Sequence, residues 1–336
     1  MPAPAFLFAP PVAALVWPVG TDPSGETGPT RGQARGPGWR CTSRGLFVPA
    51  SVSSELVEQR IVEMYAGAGA EAVVTGWAAL RLLGGGCFDG LAPDGSTQLP
   101  VPLAVNGGRV RPRPGLVVSR FTVPPDEVVV LHGIRCACAE RALFDELRRL
   151  RGVRERTVAV DMACAAQLTS ITRMRRYLKI RRWYRDVRVV APSLDLADER
   201  SWSPQESWYR MIWEVDAGWG RPLCNRELFG PTGRLVGIPD LLDPRRGIVG
   251  EFAGEHHRDK EQHASDVARE ADFRAVGLEY VEVVGRDVRQ RRLVVNRLLE
   301  AESRAGLLPQ TWVLGPAPKP TLDELLDRRD AAATVE

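Results

Sequence analysis

Lysine is nearly missing from this chain: Lys179, Lys260 and Lys319 are its only three among 45 basic residues. Positive charge is therefore carried by arginine, a planar fork suited to phosphate and carboxylate oxygens. A GC-rich coding sequence gives the same bias. Cysteine is scarce too, and the six residues show no repeated CxxC spacing. That argues against a disulfide framework and fits a reducing cytoplasm. Cys136 and Cys138, with His132 and Cys164 near them, leave two readings, a zinc site or small buried thiols. Long apolar runs are also lacking. Residues 1–20 are apolar, but Pro4, Pro10, Pro11 and Pro18 break any helix and no Lys or Arg precedes Arg31. Neither an export signal nor a membrane anchor is expected, and residues 1–27 read as a disordered proline-rich arm. Gly84, Gly85 and Gly86 have no Lys-Ser after them, which excludes a phosphate loop.

What is present is the profile of a globular protein of two domains: 336 residues, 44% hydrophobic, 26% charged, net charge +3. The predicted class is α/β. Residues 28–193 read as an α+β domain, 194–305 as a second domain and 306–336 as a tail. In the first, an extended run at 45–48 has the look of a wing, and helices are expected over 55–65, 76–83, 139–150 and 157–166. Strands are expected at 99–105, 116–121 and 128–131.

Between residues 135 and 188 basic residues outnumber acids, and Trp183 and Tyr184 sit in the densest part. Arg176, Lys179, Arg181, Arg182 and Arg185 suit a phosphate backbone with unstacked bases beside it, so DNA is the expected partner. A solvated helix face gives the same pattern.

The second domain opens on Ser203, Pro204 and Glu206, the pattern of a capped helix start. Trp208, Ile212 and Val215 extend its apolar face. Strands at 223–229, 235–240 and 248–253 follow, the last two facing across a turn at Asp243, Pro244 and Gly247. A helix over 261–276 stops at Gly277, then come a strand at 279–284 and a helix over 288–305. Helix, three strands, helix, strand requires a crossover and hence a mixed sheet. Asp240 and Glu251 end apolar runs, where a carboxylate is costly without partners. His263, Asp266 and Arg269 fall on one helix, Asp266 and Arg269 spaced for a surface ion pair.

Glu206, Pro239-Asp240 and Glu251, in that order, resemble the PD-(D/E)xK nuclease superfamily. With "DVAREADFRAVGLEYVEV" they also look like its small very-short-patch-repair-like endonucleases. The resemblance implies a restriction-endonuclease-like αβββαβ core and metal-dependent DNA cleavage. Asp240 and Glu251 would hold Mg²⁺ or Mn²⁺, Glu206 would orient a metal-bound water, and His256 or His257 would relay a proton or touch phosphate. The superfamily lysine, two residues after the acid, is Ala253 here. "VVTGWAALRLLGG" and "CAERALFDELRR" are similar to AbiEi-type antitoxins, which implies the alternative of a DNA-binding regulator with an inert nuclease core and a cognate toxin as partner.

Overall fold

The computed structural model describes residues 8–11, 15–106, 110–111, 113–254, 260–306 and 309–333, with the backbone alone over 260–266. They form a mixed α/β protein of two compact units. The first takes in residues 1–151, 166–169 and 176–190, the second 152–165, 170–175 and 191–336. The chain thus passes between them several times, rather than once near residue 194. Among the described residues no helix is long and apolar enough to cross a membrane.

In the first unit β1 (Trp39–Ser43) and β2 (Leu46–Pro49) form an antiparallel hairpin. Gly45 turns it at φ +78°, a left-handed conformation that glycine adopts without strain. Part of the expected disordered arm is built in. The Val16 N–H donates to Gln59 at 2.9 Å, Val19 bridges Phe47, and the Asp22 carboxylate accepts from the Ser24, Glu26 and Thr27 amides. These hydrogen bonds fix a segment whose composition alone suggested none.

Then come α1 (Val57–Ala66), β3 (Ala72–Val74), α2 (Gly76–Leu82), β4 (Val101–Val105), β5 (Leu116–Ser119), β6 (Val128–Leu131), β7 (Ile134–Ala137) and α3 (Ala139–Arg149). Five strands make one sheet in the order β5-β4-β3-β7-β6. Trp77, Leu80, Leu103, Leu143 and Phe144 are buried in this unit. Helices α4 (Val153–Ala165), α5 (Ile171–Ile180) and α6 (Val187–Leu196) follow.

The second unit continues with α7 (Pro204–Met211) and a π-helical turn, Ile212–Asp216. The wider turn redirects the apolar face: Tyr209, Ile212 and Trp213 are buried, whereas Val215, expected to face inward, is exposed. Next are β8 (Leu223–Cys224), β9 (Leu228–Phe229), β10 (Leu235–Gly237), β11 (Leu241–Asp243), β12 (Ile248–Ala253), α8 (Lys260–Ala275) and β13 (Glu279–Val284). After them come α9 (Gly285–Val288), α10 (Arg291–Arg304), β14 (Val313–Leu314) and α11 (Leu322–Ala333). The main sheet runs β13-β12-β11-β8, with β12 and β13 parallel and the other pairs antiparallel.

The run at 235–240 is not one strand. Pro239 cannot donate to a ladder and divides it, so β10 pairs with β9 in a separate small sheet and β11 forms the hairpin with β12. Asp240 therefore precedes a strand instead of ending one. One face of the main sheet packs Leu241, Ile248, Val281 and Val283 against Tyr209, Trp213, Val294 and Leu298. The other packs Leu242, Val249 and Tyr280 with Phe273 of α8. Gly250 lets α7 approach, since a Cβ there would lie 2.7 Å from the Tyr209 hydroxyl.

Candidate functional site

Two adjacent strands set the geometry. Leu241 lies opposite Gly250 where the antiparallel β11–β12 ladder ends, with Asp240 the residue just before Leu241 and Glu251 the residue just after Gly250. The Asp240 carboxylate accepts the Phe252 N–H at 2.7 Å, which anchors it against the end of β12. Burial raises the Asp240 carboxyl well above the usual carboxylate range, and the charges of Glu251 and then Glu206 push it further. The Phe252 amide and Arg269 oppose the shift without reversing it. Asp240 thus feels the charge of both other carboxylates singled out in the sequence.

Glu206 is held by the helix start that its spacing suggests. Ser203 Oγ accepts the Glu206 amide at 3.1 Å, and Glu206 Oε2 accepts the Trp202 N–H at 2.9 Å. Its carboxyl is raised by burial, against the pull of these hydrogen bonds. A third donor to Oε2 is Asn225 Nδ2, at 2.8 Å. Asn225 has φ +48°, which Asn tolerates better than most residues, and its own N–H donates to the Asp240 carbonyl at 3.1 Å. It links Glu206 on α7 to the backbone of Asp240. Its one sequence signal is an Asn following a short apolar run, too common to single it out.

Arg269 was paired on the sequence with Asp266, whose side chain lies outside the described residues. The structure directs it to Glu251: Nε and Nη2 lie 3.1 and 2.9 Å from Oε1, and Nη2 also donates to the Ile238 carbonyl at 2.5 Å. Burial lowers the affinity of Arg269 for its proton, but the Glu251 charge and hydrogen bonds outweigh that. Helical spacing could not show this contact, because it joins α8 to a strand 18 residues earlier. Tyr209 closes the other side of the sheet, buried and hydrogen-bonded to the Val281 carbonyl at 3.3 Å. Burial and the charges of Asp240 and Glu251 keep its hydroxyl protonated.

His256 and His257 lie outside the described residues. Ala253 ends β12 with no group to hold a charge. Among the described residues no group of three or more His, Cys, Asp or Glu is arranged to hold a metal. Asp240 and Glu251 form a pair, with Glu206 committed to its helix cap. Cys136 is buried and Cys138 partly so, and burial pushes the Cys136 thiol up to about 12 and that of Cys138 to about 11.

The basic residues sort into two groups. Arg181 is clamped by Asp126 and Glu127, both at 2.7 Å, and is spent on the fold of the first unit. Arg176, Lys179, Arg182 and Arg185 are exposed. No family model, no curated protein and no solved structure matches the chain.

Proposed function

We propose that the second unit is a nuclease-like domain of the PD-(D/E)xK type that hydrolyses DNA phosphodiester bonds with a divalent cation. The supporting observation is that Asp240, one residue before β11, and Glu251 on the neighbouring β12 interact, with the Asp240 carboxyl raised first by burial and then by the charges of Glu251 and Glu206. Carboxylates that repel one another are relieved by a shared cation. One or two carboxylates with waters and phosphate oxygens suit Mg²⁺ or Mn²⁺, so this donor set fits such an ion. When bound, the cation supplies Lewis-acid polarisation of the phosphate and a more acidic water. Asp240 and Glu251 would hold it, and the Phe252 amide fixes the Asp240 carboxylate for that purpose. Glu206, tied by Asn225 to the Asp240 segment, would orient water at its edge.

A second reading is an inert core in a DNA-binding regulator, with a toxin as the partner of an antitoxin-like first unit. Ala253 in place of the superfamily lysine favours it, as does Arg269, which already neutralises Glu251. Plasmid nicking separates the two. The nuclease reading expects Mg²⁺- or Mn²⁺-dependent nicking of supercoiled DNA that chelator stops and Asp240→Asn abolishes. Wild-type protein inactive with either ion favours the regulator, and nicking that survives Asp240→Asn removes this site as its source.

A further inference from the structure

The end of α5 and the turn after it carry a second feature that the carboxylate site does not use. Residues here divide cleanly between inside and outside. On the inner side, the Tyr177 hydroxyl meets Glu127 at 3.1 Å, Arg181 is held by Asp126 and Glu127, and Arg148 reaches Asp186 at 3.1 Å. Tyr184 packs on Phe144 with ring centroids 5.9 Å apart, and the Arg141 guanidinium lies 5.4 Å from its ring centre. The turn is therefore fastened at residues 177, 181, 184 and 186. On the outer side, Arg176, Lys179 and Ile180 follow the spacing i, i+3, i+4 on α5, which places them along one face, and Trp183 stands in the turn three residues after Ile180. The Arg181 amide donates to the Tyr177 carbonyl and the Tyr184 amide to the Arg181 carbonyl, so the chain tightens into a turn after Ile180.

Trp183 is 67% exposed, and Arg182 and Arg185 flank it in sequence, also exposed. Among the described residues Arg176, Lys179 and Arg182 make no ion pair with a carboxylate, and Arg185 has only a distant one, 3.8 Å to Asp186. An exposed indole on a fastened turn, with exposed and mostly unpaired cations near it in sequence, suits the binding of unpaired nucleotides. The ring stacks on a base and the cations meet the phosphates on either side. A duplex offers phosphates but keeps its base faces covered.

We infer that Trp183, with Arg176, Lys179, Arg182 and Arg185, is a stacking platform for single-stranded DNA. The choice of DNA rests on the proposed function; the platform itself rests on the exposed ring and unneutralised cations.

The test is fluorescence anisotropy of a labelled oligo(dT) with the full chain in chelator, so that no cleavage intervenes. A duplex and a single-stranded RNA of equal length serve as comparisons. The single DNA strand should bind more tightly than either. Trp183→Ala should weaken that binding about tenfold, the scale of one lost base stack, and leave duplex binding nearly unchanged. Trp183→Phe should keep most of the affinity. Four phosphate contacts give a slope of roughly −3 for log affinity against log salt, and Arg182→Ala should reduce it by about 0.7. Equal affinity for duplex, tighter binding of RNA, or an unaffected Trp183→Ala overturns the inference. Protein that binds through Trp183 yet nicks no plasmid sinks only the nuclease reading, and protein that nicks but ignores Trp183→Ala sinks only the platform.

Discussion

Replacing Arg210 with Met should be among the most damaging single changes in the second unit. Arg210 lies on α7, one turn after Glu206, and pairs with Asp161 of α4 at 2.7 Å with both side chains fully buried. It also donates to Ser201 Oγ and the Leu196 carbonyl, while Asp161 accepts the Asp198 amide. Burial pushes the Asp161 carboxyl up to about 6 even beside Arg210, so at neutral pH it is still ionised. Removing the guanidinium strands that charge, a loss of about 3–5 kcal/mol. At about 2–4 °C per kcal/mol for a unit of this size, the corresponding melting transition should fall by roughly 6–20 °C. Thermal melts by circular dichroism and calorimetry measure it. Asp161→Leu combined with Arg210→Met should recover much of the loss, because the penalty lies in the unpaired charge rather than the missing attraction. The deficit of the single variant should grow as pH rises, since the unpaired acid can escape its penalty only by protonation. A cost under about 1 kcal/mol, or a double variant no better than the single, refutes the reasoning.

Other outcomes follow from the carboxylate cluster and its supports. Asp240 has a raised folded-state pKa, so its ionisation opposes folding. The advantage of Asp240→Asn in melting temperature should vanish below the ordinary carboxylate range near about 4 and grow as pH rises through the raised value. A pH series of melts in chelator reads this, and a gap independent of pH contradicts it. Gly250→Ala places a methyl 2.7 Å from the Tyr209 hydroxyl and 3.0 Å from Trp213, and should cost about 1–3 kcal/mol in denaturant titration. Arg269→Gln removes a charge that competes for Glu251, and should tighten Mn²⁺ binding; unchanged affinity places the ion away from Glu251.

In the second unit β12, α8 and β13 were legible because α8 stops at Gly277 and each has a strong pattern of its own, whereas the run at 223–229, expected as one strand, divides into β8 and β9 in different sheets. The division of 235–240 was legible in principle, since Pro239 cannot donate, but an unbroken apolar run concealed it. Strand β3 and helix α6 have no expected counterparts: β3 is three residues long, and α6 carries Pro192. Within the site, Asp240 and Glu251 stood out as carboxylates at the ends of apolar runs, and Glu206 as part of a helix cap. Asn225 did not, and Arg269 stood out only as a helix neighbour of Asp266, because each acts across a long sequence separation that no local period encodes. Arg181 shows the reverse case: it belongs to the basic cluster in sequence, yet two acids from residues 126 and 127 claim it in the fold.

The central claim is that Asp240 and Glu251 share one divalent cation, and calorimetric titration of the chelator-treated chain with Mn²⁺ tests it most directly. The account predicts one saturable site in the wild type, lost in both Asp240→Asn and Glu251→Gln while circular dichroism shows each variant folded. Saturable binding that persists in both variants, or none in the wild type, contradicts it.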